Sequence, residues 1–390
     1  MKFSEVLPEL PIEQLAALSA TATPRDVERV LSRETAQSLE DFAVLISPAA
    51  TPYLENMAHI SQKLTLQNFG RTIHLFAPLY LSNECVNVCK YCGFSRHNKI
   101  PRVTIPITQV MNEVGMLARQ GFRSLLIVAG EHPRYVDNGF VLEVIRNCLP
   151  IMPSIAVELG PTRTENYIPM VEAGCEGIVV YQESYHKPTY AEMHIAGPKK
   201  NFDFRLDTPE RAYEAGMRRL GLSPLYGLYQ WRYEAVAAAA HAQHLQRACW
   251  RAELAIGLPR MRPAIGGFAP REDYLMNDRQ TVQLMCAFRM MFPRADISVT
   301  TRERPELRDG MIQMGATHMS AGASTEPGGY SNFDEQTWRP KTPQPGEQFH
   351  VADERGPKEI AAMIRSKGYE PVWKDFDRSF VSSGAEALAS

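Results

Sequence analysis

Apolar residues follow two different spacings along this chain. In residues 1–70 they recur at helical spacing, so that Val27, Val30 and Leu31 fall on one face of a helix. From about residue 72 the pattern changes to short, continuous apolar runs that alternate with amphipathic stretches. These runs cover residues 74–82, 124–130, 154–160, 177–181, 219–228, 256–264, 297–303 and 318–323.

The continuous runs predict strands that are buried on both faces, as in a parallel sheet covered by helices. Strands that alternate with helices in this way predict an α/β fold of the (β/α)₈ TIM-barrel type. An open doubly wound sheet is the second interpretation, but no G-x-G-x-x-G motif follows the first run. We therefore predict a barrel over residues 71–325, preceded by a helical extension over residues 1–70.

The sequence becomes irregular after residue 325. Glycine and proline are frequent between residues 326 and 346, which predicts a long loop. Residues 353–367 then show one more amphipathic helical pattern. We predict that residues 326–390 form a C-terminal segment that covers the barrel.

Composition narrows the class of protein. The 390 residues carry a formal net charge of −2, which argues against binding to nucleic acid or to an anionic membrane through bulk charge. No apolar run reaches the ~18 residues that a membrane span needs. The first residues, MKFSEVLPELP, contain no apolar signal core, so we expect a cytoplasmic location.

The cysteines indicate where chemistry takes place. The chain has seven, and Cys85, Cys89 and Cys92 form a C-x₃-C-x₂-C motif at the C-terminal end of the first predicted strand. An odd number of cysteines in a chain with no signal core disfavours a disulfide framework. Thiolates are the usual ligands of iron–sulfur clusters and common ligands of zinc.

Two kinds of metal site fit this motif. Three cysteines can bind three irons of a [4Fe–4S] cluster and leave the fourth iron open to S-adenosylmethionine (SAM), whose reductive cleavage releases a 5′-deoxyadenosyl radical. Tyr91 lies where it can cover the cluster or the adenine. The alternative is a zinc ion bound by the same cysteines and His97 in a barrel that acts as a binding protein. It is disfavoured because the motif lies at the barrel end that carries active sites.

Polar side chains also follow the other predicted strands. Because the carboxyl ends of the barrel strands share one face, we expect these side chains to surround one site. Each has an ordinary alternative, such as a helix-capping acid or a salt bridge at the rim. The residues are Glu131, Glu183, Arg205, Arg260, Arg262, Arg302 and Ser320.

The chain resembles the tyrosine lyases of thiamine biosynthesis, which belong to the radical-SAM superfamily. This resemblance implies that the cofactors are a [4Fe–4S] cluster and SAM. It also implies that the reaction is cleavage of the Cα–Cβ bond of L-tyrosine to 2-iminoacetate and p-cresol. The resemblance covers nearly the whole chain. It rests on APLYLSNECVNVCKYCGFSR (77–96), AGEH (129–132), VYQESYH (180–186), PRMRPA (259–264), TTRERPELRD (300–309), SAGASTEPGGY (320–330) and PVWKDFD (371–377).

The resemblance implies roles for the residues around the cofactors. The three cysteines of the motif match the cluster ligands. Glu131 matches the position that holds the amino group of SAM. Glu183 and Arg205 resemble contacts to the ribose and to the methionyl carboxylate.

It also implies three substrate contacts. Arg302 matches the arginine that binds the carboxylate of the amino acid in lyases of this type. Tyr80 and Ser320 lie where the substrate amino group is held. A neutral hydroxyl suits this position, because the amine must be unprotonated for easy loss of a hydrogen atom.

Two groups of relatives are set apart by their sequences. Tyrosine lyases of hydrogenase maturation carry a second cluster on three more cysteines near the C-terminus, and residues 287–390 contain no cysteine. Tryptophan lyases share the arginine-rich segments but lack the CGF and PGGY stretches. A related aromatic substrate remains the alternative.

The resemblance implies association with the thiazole synthase (ThiG) that consumes the imine. A basic stretch next to the cysteine motif is expected to be a solvated surface. The sharper hypothesis is that an acidic, flavodoxin-type electron donor docks there. The stretch consists of Lys90, Arg96, His97, Lys99 and Arg102.

Overall fold

The computed structural model describes residues 1–374. The chain begins with helices α1 (Phe3–Val6), α2 (Ile12–Thr21), α3 (Pro24–Leu31), α4 (Leu39–Leu45) and α5 (Leu54–Phe69). Thr23 and Asp26 form a capping box at the start of α3. The face of α3 that the spacing predicts is buried, with Val27, Val30 and Leu31 in the core.

The strands of the described residues are short and mostly buried. They are β1 (Thr72–Ser82), β2 (Val88–Cys89), β3 (Ser124–Ala129), β4 (Ser154–Glu158), β5 (Gly177–Glu183), β6 (His194–Ala196), β7 (Arg219–Pro224), β8 (Glu253–Gly257), β9 (Asp296–Val299), β10 (His318–Ser320) and β11 (Glu370–Val372).

Parallel pairing closes the sheet. Strands β1, β3, β4, β5, β7, β8, β9 and β10 pair in this order, and β10 pairs back onto β1 through His74 and His318. This closed eight-stranded ring, formed within residues 1–374, confirms the predicted TIM-type barrel. The remaining strands lie outside the ring, since β2 pairs with β6 and β11 extends the start of β1.

Helices cover the outside of the barrel. They are α6 (Ile107–Arg119), α7 (Asn138–Cys148), α8 (Thr164–Glu172), α9 (Lys187–Met193), α10 (Phe202–Leu206), α11 (Thr208–Ala215), α12 (Trp231–Ala248), α13 (Asp278–Met291), α14 (Pro305–Met314) and α15 (Pro357–Ser366). Most of α12 is buried, because it packs on β7 and also against α2 and α4. Its run of alanines lets the N-terminal helices pack closely on the barrel.

Several predicted boundaries are wrong at strand ends. The run at 219–228 ends as a strand at Pro224, and the run at 256–264 corresponds to a strand over Glu253–Gly257. Prolines at positions 259 and 263 supply no N–H for a ladder, so the chain leaves the sheet before them. The antiparallel pair that β2 forms with the distant strand β6 was not predicted, and neither was strand β11.

The segment after β10 crosses the C-terminal ends of the barrel strands. Backbone N–H groups of Gln348, His350 and Ala352 donate to carbonyls of Thr325, Pro263 and Thr301. The predicted helix at 353–367 is observed over Pro357–Ser366. The part of the predicted covering segment at 375–390 lies outside the described residues. Within residues 1–374, no helix is long and apolar enough to cross a membrane.

Candidate active site

The cysteine motif lies on the loop that follows β1, at the C-terminal mouth of the barrel. Cys85, Cys89 and Cys92 are free thiols; Cys89 is buried and the other two are half-buried. Burial raises the pKa of Cys89 to about 12 and also raises the pKa of Cys92. A free thiol here is therefore neutral, and it loses its proton when it binds iron.

Arg102 holds this loop in shape. Its guanidinium donates to the backbone carbonyls of Asn83, Phe94, Ser95 and Asn98 at 2.6–3.2 Å. The interpretation of Arg102 as part of a solvated docking surface is therefore wrong. Its charge is used inside the loop, where it satisfies carbonyls that no strand or helix satisfies.

Two glycines let other segments approach the loop closely. A Cβ on Gly93 would lie 2.5 Å from the carbonyl oxygen of Gln348, and a Cβ on Gly130 would lie 2.3 Å from that of Glu84. No side chain fits at either place. The cysteine loop is thus packed between the end of β3 and the C-terminal segment, which fixes the positions of its thiols.

The donor set fits a cluster better than a single zinc ion. Three soft sulfur ligands on one short loop suit iron–sulfur ligation. Within residues 1–374, no group of three or more His, Cys, Asp or Glu side chains is arranged to hold a single metal ion. His97, the fourth ligand of the zinc alternative, is exposed.

Glu131 connects the cysteine loop to the end of β3. Its Oε2 accepts a hydrogen bond of 2.7 Å from Nδ2 of Asn87, and the same nitrogen lies 3.6 Å from Sγ of Cys85. Gly160 leaves the space for this carboxylate, since a Cβ there would lie 2.5 Å from Cγ of Glu131. The contact with the loop fits the role predicted for Glu131 beside the cluster.

A group of buried charges lies at the end of β5. The carboxylate of Glu183 is 2.6 Å from Nζ of Lys199 and 3.5 Å from the guanidinium of Arg205. Burial opposes its ionisation, but the two cations outweigh burial and lower the pKa of Glu183. Glu183 has a φ of 71°, a strained conformation for a residue with a side chain. Arg205 also donates from Nε to the carbonyl of Tyr181.

Tyr91 lies beside these charges, with its ring 5.6 Å from Nζ of Lys199. Its hydroxyl is 2.7 Å from Nε2 of His194. Burial lowers the pKa of His194 to about 3, so the imidazole is neutral. Nδ1 of His194 faces the carbonyl of Tyr190 and carries the hydrogen, so Tyr91 donates to Nε2. That Tyr91 covers the cluster or the adenine stays a prediction.

The other half of the mouth opens into a cavity of about 160 Å³ inside the barrel. Arg302 lies in its wall, with its guanidinium 3.5 Å from the centre of the Phe349 ring. Ser320 accepts a hydrogen bond of 3.0 Å from the backbone N–H of Thr301. Tyr80 donates through its hydroxyl to Oε1 of Gln348 at 2.8 Å. The cavity thus brings together the three predicted substrate residues.

Sequence reasoning missed three residues of this site. Lys199 lies in a short 3-10 helix and Gln348 on an irregular segment, and no local sequence pattern marks either residue. Glu158 ends β4 and lines the cavity, so its position at a strand end was an available signal. Burial raises the pKa of Glu158 to about 7, and Arg302 partly opposes this effect.

Two other predicted strand-end arginines lie outside the cavity wall. Arg260 forms ion pairs with Glu303 and Asp278, so its alternative role as a rim salt bridge is confirmed. Arg262 keeps a buried Nε without a hydrogen-bond partner among the described residues.

Comparisons with known proteins agree with this site. Residues 79–241 match the Radical SAM superfamily, and residues 257–370 match the Biotin and Thiamin Synthesis associated domain. The chain is 38% identical over 371 residues to a 2-iminoacetate synthase of Escherichia coli (strain K12), covering 94% of each chain. It is also 38% identical over 360 residues to a 2-iminoacetate synthase of Salmonella typhimurium (strain LT2), covering 91% of each.

A solved structure shows the same architecture. The crystal structure of HydG, a maturase of the [FeFe]-hydrogenase, superposes with a TM-score of 0.85 at 31% identity. The match covers 93% of this chain and 79% of that chain. Because the barrel, the cysteine loop and the similarity over nearly the full length agree, the chain belongs to the 2-iminoacetate synthase family of radical SAM enzymes.

Proposed function

We propose that this protein is a radical SAM lyase that cleaves the Cα–Cβ bond of L-tyrosine to 2-iminoacetate and p-cresol. One observation carries the proposal: the cysteine loop and the cavity that contains Arg302 lie at the same mouth of one barrel. When bound, a [4Fe–4S] cluster and SAM supply a radical that takes a hydrogen atom from the substrate. An external reductant provides the electrons.

Residues on the loop side would hold the cofactors. Cys85, Cys89 and Cys92 would bind three irons of the cluster. Glu131 lies within the loop network and would accept a hydrogen bond from the amino group of SAM. Glu183 and Arg205 would contact its ribose and its carboxylate, since both lie beside the loop in a buried, charged environment.

Residues in the cavity would orient the substrate. Arg302 would form a two-pronged contact with the tyrosine carboxylate, which restricts the position of the amine. The hydroxyls of Tyr80 and Ser320 are neutral partners for that amine. Burial raises the pKa of Tyr80 well above its usual value, so its hydroxyl stays protonated. Because a neutral neighbour does not stabilise an ammonium group, the substrate amine stays unprotonated, which is the form that loses a hydrogen atom easily.

The covering segment would exclude water from the radical. Gln348 contacts the hydroxyl of Tyr80 and lies 3.9 Å from Sγ of Cys92, so it spans the cofactor and substrate sides. A closed site protects a reactive intermediate from solvent.

Two protein partners follow from this function. The imine product hydrolyses readily, which favours direct transfer to the thiazole synthase (ThiG) in thiamine biosynthesis. A flavodoxin-type donor would dock on the exposed basic side chains of the predicted stretch, namely Lys90, Arg96, His97 and Lys99. Charge attraction of this kind makes reduction faster at low salt than at high salt.

Anaerobic turnover tests the proposal. The reconstituted protein is supplied with SAM, a reductant and each aromatic amino acid in turn. We expect p-cresol and glyoxylate, the hydrolysed imine, from tyrosine. Formation of 5′-deoxyadenosine only with tryptophan would contradict the proposal.

A further inference from the structure

We propose that Glu158 binds the phenol hydroxyl of the substrate and selects tyrosine over phenylalanine. This inference rests on the proposed function, because it assigns one end of the tyrosine side chain within the same cavity.

The order of the barrel strands places Glu158 opposite Arg302. Glu158 ends β4, and Arg302 follows β9. In the closed ring, β4 and β9 are separated by three strands in either direction, so they face each other across the barrel. Ser320 is on β10, directly beside β9, and Tyr80 is on β1, midway between β9 and β4. An amino acid whose carboxylate is held by Arg302 can therefore extend its ring across the barrel toward Glu158.

Glu158 has no polar partner of its own. Within residues 1–374, neither a hydrogen bond nor an ion pair joins its carboxyl to another side chain. Arg302 influences its ionisation from across the cavity without forming an ion pair. Such a buried carboxyl is costly to leave unpaired, so a ligand group that completes its hydrogen bonding is strongly favoured.

The surroundings of Glu158 suit an aromatic ring. Val128 on β3 is the direct partner of Glu158, and Val179 on β5 follows Ile178, the partner of Val157; both valines line the cavity. Gly257 leaves the space that the Tyr181 ring occupies, since a Cβ there would lie 2.7 Å from the Tyr181 hydroxyl. The two valines and the Tyr181 ring thus form an apolar surface near the Glu158 carboxyl, while Arg302, Tyr80 and Ser320 line other parts of the cavity.

The chemistry matches a phenol as the ligand group. A phenol donates one hydrogen bond, and an ionised carboxylate only accepts. Phenylalanine would leave that carboxylate without a partner. A site built around a substrate hydroxyl discriminates strongly against an analogue that lacks it, for the same reason.

The test compares two ligands on one variant. The dissociation constants of radiolabelled tyrosine and phenylalanine are measured by anaerobic equilibrium dialysis, with SAM present, for the reconstituted wild type and for Glu158→Gln. We expect tyrosine to bind at least about tenfold more weakly to the variant, while phenylalanine binds as well as before or better. Glu158→Leu, which removes the polar group, should bind phenylalanine more tightly than tyrosine.

Three results would overturn the inference. The first is unchanged tyrosine binding in both variants. The second is an equal loss for tyrosine and phenylalanine, which would place Glu158 at the amine that both share. The third is a similar change of preference in Glu234→Gln, a matched control whose buried carboxyl lies on the outside of the barrel with a pKa also raised by burial to about 7.

Iron and sulfide content and SAM binding show that each variant is correctly folded and loaded. The results distinguish an error in the proposed function from an error in the assignment of Glu158. If the wild type forms no p-cresol, the function is wrong. If it forms p-cresol and Glu158→Gln keeps the same preference, only the assignment of Glu158 is wrong.

Discussion

The two halves of the barrel mouth treat buried charge differently. On the cofactor side, Glu183 is already paired with Lys199 and Arg205. On the substrate side, Arg302 and Glu158 face the cavity, and no ion pair within the described residues joins either of them to another side chain. Side chains that form ion pairs within the protein are already fixed in position before a ligand binds. Charged side chains that face a cavity without an ion pair instead become paired when a ligand binds. The difference assigns a different ligand to each half.

Removal of a cluster ligand should have the largest effect. In Cys89→Ala we expect loss of the cluster, because two thiols do not replace the three-point attachment. Iron and sulfide are measured after anaerobic reconstitution. Cys148→Ala is the control, since that thiol is buried in α7 away from the loop, and it should keep about four irons. Full iron content in Cys89→Ala would show that the loop is not the cluster site.

Removal of the Arg302 guanidinium should impair the use of tyrosine and leave the binding of the cofactors unchanged. In Arg302→Ala we expect normal cluster content and SAM binding, with tyrosine kcat/KM reduced by about a hundredfold or more, because a buried charge pair with the substrate is lost. Arg304→Ala serves as the control, because Arg304 is exposed and pairs with Asp278 at the surface. If Arg302→Ala turned over tyrosine normally, the substrate half would be misassigned.

Tyrosine affinity should rise with pH through Glu158. Its raised pKa of about 7 means that the carboxylate form, which accepts from the phenol, increases about tenfold in population between about pH 6 and pH 8. The dissociation constant of tyrosine should fall by about the same factor. Glu158→Gln should remove this dependence. Affinity that decreases with pH in the wild type would contradict the assignment. Other charged or titratable groups also act on the ionisation of Glu158 and have to be considered when the pH profile is interpreted. They are Arg302, Glu183, Arg205, Lys199, Tyr80 and Tyr181.

On the cofactor side, where Glu183 is paired with two cations, the loss of one charge should have a smaller effect on ligand binding. In Lys199→Gln we expect SAM to bind several-fold more weakly, because Glu183 keeps Arg205 but loses its nearer cation. Tyrosine affinity measured with saturating SAM should change little. Lys200→Gln is the neighbouring control. A larger loss for tyrosine than for SAM would remove the distinction between the two halves.

The sequence predicts the parts of this molecule that depend on local pattern. Buried strands appear as continuous apolar runs, and the cysteine spacing marks the cluster loop without knowledge of the fold. The alternation of strands and helices then places Arg302 and Ser320 at the same mouth. The predicted strand ends were less accurate, because apolar runs continue past the last paired residue; after Gly257, Pro259 and Pro263 supply no N–H for a ladder.

Residues that act through tertiary contacts were missed or misinterpreted. Lys199 meets Glu183 because the antiparallel pairing of β6 with β2 brings the segment after β6 against the cluster loop. Gln348 reaches Tyr80 from a segment more than 260 residues away in sequence. Arg102 is read as a surface charge from its neighbours in sequence, while its carbonyl partners become apparent only when the loop is folded.

A structure of the anaerobic complex with cluster, SAM and L-tyrosine would show which half of the barrel mouth binds each ligand. We expect the tyrosine carboxylate on Arg302, the phenol on Glu158, and SAM between Glu131 and Glu183. A tyrosine carboxylate bound by Lys199 or Arg205, or a phenol directed away from Glu158, would contradict the division of the barrel mouth into these two halves.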